Sequence, residues 1–213
     1  MTFRPIDLRA YPRREHYERY LDMRVSYSAT VQIDITELRR AVKQRAYRIY
    51  PAQIWMLTAA ANQIPEFRMS RNTAGELGIW DELSPLYTVL NERKQTFSGL
   101  WTSWSDNFEM FYHACIEDID RFGDGTFQPQ AEMPANVLNV SSIPWLEFSA
   151  FNLNLPTDYL LPILTIGKHV ERDGRIFMPL AIQVHHAVCD GWHLGQFVEQ
   201  TQRLADDAEQ WIQ

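Results

Sequence analysis

The chain has 213 residues, 46% of them apolar and 22% charged, which suits one globular domain over 1–213 with a real core. A net charge of −7 and a pI near 5.4 exclude a general nucleic-acid or anionic-membrane surface, while leaving room for a local basic pocket around one phosphorylated ligand. Cys115 and Cys189 make neither a metal-type spacing nor a disulfide framework, no apolar run approaches the ~20 residues of a membrane span, and the first residues lack a signal-peptide core; a soluble, cytoplasmic setting is expected.

Pro12 to Tyr20 opens with proline where a first helical turn tolerates it and reads as an exposed, charged helix. Tyr27 to Ile33 alternates loosely and predicts a strand. Asp34 to Val42 then predicts a helix with Thr36 at its N-cap. Pro51 opens another, Ala52 to Ile64, apolar nearly all round and halted before Pro65, as a buried helix would be. Short strands are expected at Phe67–Ser70, Leu77–Trp80, Tyr87–Leu90 and Phe97–Thr102. Asp106 to Ile119 places Phe108, Phe111, Tyr112 and Cys115 on one helical stripe, and Gly123-Asp124-Gly125-Thr126 is a loop. Val137–Ser141, Glu147–Phe151 and Ile163–Lys168 are further strands, and Asp173-Gly174 is a hairpin turn into Arg175–His185. A last helix runs from Trp192 to Trp211. The sum is an α+β fold, a mixed sheet with helices packed against it.

Chemistry concentrates in Gln183-Val184-His185-His186-Ala187-Val188-Cys189-Asp190-Gly191-Trp192-His193. A buried strand delivers two histidines to a turn that Asp190-Gly191 closes, and imidazole exchanges protons near pH 6.5. If the strand alternation persists, His186 shares a face with Ile182 and Val184, and His185 the opposite face with Gln183. The two rings then do different work, one structural and one reaching a cleft as a general base. The plainer reading makes both satisfied core histidines. A metal set of His185, His186, Asp190 and His193 is disfavoured, because adjacent strand residues point apart and chelate poorly. Cys189 reads equally as a small apolar filler or a thiolate.

The run from His185 to His193 resembles the active-site signature of the trimeric, acetyl-CoA-dependent chloramphenicol acetyltransferases. Arg13-Arg14-Glu15-His16, Phe67-Arg68-Met69, Ile79-Trp80-Asp81, Gln95-Thr96-Phe97-Ser98, Asn139-Val140-Ser141 with Pro144-Trp145, Phe151-Asn152-Leu153-Asn154 and Pro179 to Val184 resemble that family's segments in the same order. The short histidine signature is shared with dihydrolipoyl acyltransferases and condensation domains; the additional segments make the resemblance specific.

That resemblance implies a CoA-dependent acyltransferase-like two-layer sandwich forming one catalytic domain. It implies that His186 is the general base and that Asp190 pairs with Arg13 to hold the histidine loop. Ser141 would donate to the tetrahedral oxyanion and Thr165 would position a water. Trp145, Asn152, Lys168 and His169 match positions around the CoA tunnel, His169 standing where the family usually has tyrosine. Tyr20, Phe97, Gly99, Phe127, Phe151 and Leu153 match or adjoin the antibiotic pocket. A homotrimer follows, with His186 from one chain and Ser141, Thr165 and most of the acceptor pocket from its neighbour. The co-substrate is acetyl-CoA, the acceptor chloramphenicol or a similar small-molecule alcohol, and neither metal, nucleic acid nor membrane is called for. Gln128, where the family commonly has phenylalanine, Arg19, Arg24 and a shorter loop at Leu155-Pro156-Thr157 depart from the pattern. Gln128 and the two arginines keep open an acyltransferase for another hydroxylated molecule; a catalytically silent trimeric ligand binder is the alternative from another class.

Overall fold

Register decides which face of the sheet meets the helices. The structure, a computed structural model, describes residues 2–154 and 158–213, so Leu155-Pro156-Thr157 lie outside the described residues. The strands are β1 (Phe3–Pro5), β2 (Ser26–Asp34), β3 (Met69–Arg71), β4 (Leu77–Trp80), β5 (Ser84–Asn91), β6 (Thr96–Trp101), β7 (Val137–Ile143), β8 (Ile163–Gly167), β9 (Val170–Arg172) and β10 (Arg175–His185). The helices are α1 (Arg14–Asp22), α2 (Thr36–Gln44), α3 (Ile49–Asn62), α4 (Phe108–Phe122), α5 (Gly191–Asp206) and α6 (Ala208–Trp211).

The large sheet runs β2-β10-β8-β7-β5-β6, with β9 hairpinned onto β10; β1, β4 and β3 form a small separate sheet. β7 lies parallel to β5 and β8, and the other pairs along that path are antiparallel, which makes the expected mixed sheet. One row of paired residues crosses the whole path: Ala29, Ile182, Leu164, Val140, Tyr87 and Leu100. From Ile182 to Leu100 these side chains are buried and belong to the core. Side chains alternate along a strand, so the next row (Thr30, Ala181, Thr165 and Ser141) faces the other way. The core row therefore belongs to the helices, and the outer row is left for chemistry.

α3 is the central helix, buried from Pro51 to Ala61 and packed on α4, α5 and β5. The helix starts at Ile49, so Pro51 sits within its first turn instead of opening it. Ile35 is the N-cap of α2, and Asp34 before it accepts at Oδ1 from the Thr36 N–H and hydroxyl at 2.9 and 2.5 Å; Thr36 is thus the first helical residue and not the N-cap. The Asp173-Gly174 hairpin is present, both residues at positive φ (53° and 74°) as a primed turn demands.

Three further expectations fail for physical reasons. Pro65 starts a 3-10 turn, Pro65–Arg68, that drives Phe67 fully into the core; the strand begins only at Met69. Glu147–Phe151 forms no strand. It crosses the outer face, where Phe148 packs so closely over Gly167 that an added Cβ would lie 2.8 Å from its Cε1 and 3.0 Å from Pro179 Cβ. The last helix breaks at Asp207, which lets Trp211 stack on Trp55 at 4.5 Å and donate its indole N–H to the Leu204 carbonyl.

Candidate active site

β10 ends at His185, so the strand alternation does not reach His186. His185 stays buried and organises the turn: its Nδ1 accepts the Ala187 N–H at 3.1 Å, and its carbonyl accepts from Val188 and Cys189. His186 lies in the turn itself, half-buried, with its backbone N–H on the Val25 carbonyl at 2.8 Å. It does not share the apolar face of β10, because the chain has already turned. Its ring stacks on Tyr20 at 4.0 Å and 6°, and meets the edge of Tyr27 at 5.2 Å. Nδ1 is sealed, without a hydrogen-bond partner among the described residues. The two imidazoles do separate work, one building the turn and one presented by it.

Asp190 is the N-cap of α5 and accepts the Trp192 N–H at 3.0 Å. Arg13, at the N-cap of α1, reaches it from the far end of the sequence with NH1 2.6 Å from Oδ2. Burial works against the Asp190 charge, yet the Arg13 hydrogen bond, with His193 and the Trp192 N–H, holds its carboxyl below the usual range. His193 closes the cap reciprocally: its Nδ1 accepts the Asp190 N–H at 3.1 Å, and its Nε2 lies 3.5 Å from Glu66. Cys189 is buried, and burial first of all pushes its thiol up to about 12, so it is the apolar filler and not a thiolate.

Ser141 and Thr165 are register partners on β7 and β8, and Thr165 pairs in turn with Ala181 of β10. His185 is four residues beyond Ala181, which at ~3.3 Å per residue puts the histidine turn roughly 13 Å along the strand from that row. Within one chain, then, the proposed base and the proposed oxyanion donor do not meet.

The remaining candidates fall into three places. Trp145, Lys168 and His169 line a cleft of about 800 Å³ together with Ser141, Tyr50 and Phe97. Asn152 is not in that cleft; it lines a small recess with Phe151, Leu153, Thr165 and Gln183, whose Oε1 accepts the Leu153 N–H at 2.8 Å. Phe127 packs on Phe97 at 5.9 Å, its carbonyl accepting the Gly99 N–H at 2.7 Å. Tyr20 stands apart from these, on His186. Phe97, Phe127, Trp145 and Leu153 remain exposed. The sequence reading missed Glu66, Tyr27, Gln53 and Arg39. Only Gln53 carried a signal, as the one amide side chain in the run from Pro51 to Ala61 of an apolar helix.

A family model described as chloramphenicol acetyltransferase matches residues 1–202. Proteins named chloramphenicol acetyltransferase from Bacillus pumilus and Clostridium perfringens are 46% and 43% identical, covering 99% and 100% of this chain and 96% and 99% of their own lengths. A solved chloramphenicol acetyltransferase shares the fold with a TM-score of 0.86 at 22% identity, over 96% of this chain and all of that one. The catalytic core of a 2-oxoacid dehydrogenase complex from Thermoplasma acidophilum follows at 0.69 and 12% identity, covering 91% of this chain and 92% of that one.

Proposed function

The chain belongs to the chloramphenicol acetyltransferase family, and we propose a route by which it acetylates chloramphenicol: general-base transfer from acetyl-CoA at a seam between identical subunits. His186 Nε2 takes the proton of an acceptor hydroxyl, since Nδ1 is sealed in the turn. The freed oxygen attacks the thioester carbonyl. Ser141 donates its hydroxyl to the resulting oxyanion, and Thr165, its register partner, orients a water beside it. As the C–S bond breaks, the imidazolium returns the proton to the departing thiolate, giving acetylated drug and free CoA thiol. A positioned base contributes about 10²–10⁴ in rate and one oxyanion donor about 10²–10³. Asp190 and Arg13 move no protons; they fix the start of α5 and thereby the turn that carries His186.

The carrier suits the cleft lined by Trp145, Lys168 and His169, whose largely apolar wall also carries Arg48 and Ser141. Asn152 falls to the acceptor side with Phe151 and Leu153.

The observation that carries the subunit reading is the separation of His186 from Ser141 and Thr165 inside one chain, since a second copy is the simplest source of the missing half. We infer the family's homotrimer, three such seams and one domain per chain. No helix among the described residues is long and apolar enough to cross a membrane, and a cytoplasmic enzyme fits that. His186→Ala should retain fold and assembly while acetyl-CoA-dependent thiol release with chloramphenicol falls by about 10²–10⁴. Near-normal turnover by that variant removes His186 from the chemistry.

A further inference from the structure

Gln53, His169 and Arg39 form a polar chain that the reaction scheme does not use. Gln53 is 2% exposed on α3, and its Nε2 lies 2.7 Å from His169 Nε2 and 3.0 Å from Met178 Sδ. On the other side of the ring, Arg39 NH1 of α2 lies 3.4 Å from His169 Nδ1. An amide nitrogen and a guanidinium can only donate, whereas a neutral imidazole accepts at one nitrogen. The shorter, buried contact claims that acceptor, so hydrogen-bond logic assigns the ring proton to Nδ1. The ring is neutral near pH 7, because burial, and next the Arg39 charge, push His169 down to about 4.

The Nδ1–H and the Arg39 N–H therefore converge without an acceptor between them. His169 lines the cleft; Arg39 is exposed on the adjoining turn of α2. The neighbourhood is cationic against the sign of the chain. Lys168 and Arg48 line the same cleft, Lys43 follows Arg39 by one helical turn, and no ion pair engages Arg39, Lys43 or Lys168 among the described residues. Arg40 by contrast is paired with Glu37 at 2.5 Å, and Arg48 is only loosely approached by Asp120 at 3.7 Å. Glu92, also on the cleft wall, is the opposing charge.

We propose that Arg39 and the Nδ1–H of His169 together hold a phosphate of the acyl carrier at the mouth of the cleft. The proposal rests on the acetyl-CoA reading above and adds to it a residue pair, with Gln53 orienting the imidazole from behind. A phosphate oxygen accepts from both donors at once, and the guanidinium supplies the charge. The phosphate could be the carrier's diphosphate or its 3′-phosphate.

Calorimetric titration with acetyl-CoA, acetyl-dephospho-CoA and acetyl-pantetheine tests this. Arg39→Ala should weaken acetyl-CoA about 5–20-fold, and His169→Phe several-fold, with acetyl-pantetheine unchanged in both. Arg39→Lys should recover part of the loss, and the gap between wild type and Arg39→Ala should shrink in high salt. If acetyl-dephospho-CoA shows the same loss, the diphosphate is the ligand; if it shows none, the 3′-phosphate is. Arg39→Ala binding acetyl-CoA as tightly as wild type, or losing acetyl-pantetheine in proportion, overturns the assignment. Wild type failing to bind acetyl-CoA would instead overturn the carrier reading itself.

Discussion

Mixing two dead variants tests the divided site directly. A base must come within about 3 Å of the acceptor oxygen, and an oxyanion donor within about 3 Å of the carbonyl oxygen on the same tetrahedral carbon. Those limits allow the two groups no more than roughly 8 Å of separation, whereas the strand geometry puts the histidine turn roughly 13 Å from the Thr165 row. His186→Ala and Ser141→Ala should each lose about 10² or more in rate on their own. Co-expressed in equal amounts, they assemble at random. A seam works when its histidine side comes from the Ser141→Ala chain and its serine side from the His186→Ala chain, so about a quarter of the seams are intact. Thiol release by the purified mixture should then approach a quarter of the wild-type rate, far above either parent. A mixture no faster than the mean of its parents would refute the reasoning, since it would place both groups in one chain.

Other outcomes follow from single contacts. Asp190→Asn keeps a competent N-cap and loses the ion pair with Arg13, while Asp190→Ala loses both; thermal unfolding should rank Ala below Asn by about 1 kcal/mol, with activity reduced in each. Gly167→Ala forces Phe148 or Pro179 aside and should cost about 1–3 kcal/mol, read as a fall in Tm. Asp34 is buried, and although burial opposes its charge, Thr36 and Arg175 hold its carboxyl below the usual range, as Arg13 does for Asp190. A depressed folded pKa stabilises above the unfolded value of about 3.9 and loses that contribution as pH falls through the folded one. Denaturant titrations should therefore show stability dropping below about pH 4, and Asp34→Asn should flatten that drop.

The helices were legible because their periodicity is strong: α3 is apolar all round and α4 carries its stripe at Phe108, Phe111, Tyr112 and Cys115. So was the Asp173-Gly174 hairpin, whose residues suit positive φ. The Glu147–Phe151 run misled because its apolar side chains serve to cover a sheet face and not to join one. The outer position of Ser141 and Thr165 depends on register across three strands, which no local pattern encodes. For the site, the motif places His186 and Asp190 in one turn, while the alternation that would set His186 on the apolar face stops with the strand at His185. Arg39 was invisible because its partner comes from β8–β9, remote in sequence. Asn152 lies in a separate recess from Trp145, because the chain between them crosses the sheet face.

One short helix touches the histidine turn at both ends. Arg13 at the start of α1 clamps Asp190, and Tyr20 on the same helix lies flat against the His186 ring. Any change that tilts α1 therefore moves the carboxylate clamp and the ring's stacking partner together. Phe97 and Phe127, exposed and packed on each other, touch neither group, so changes there should leave the histidine turn undisturbed.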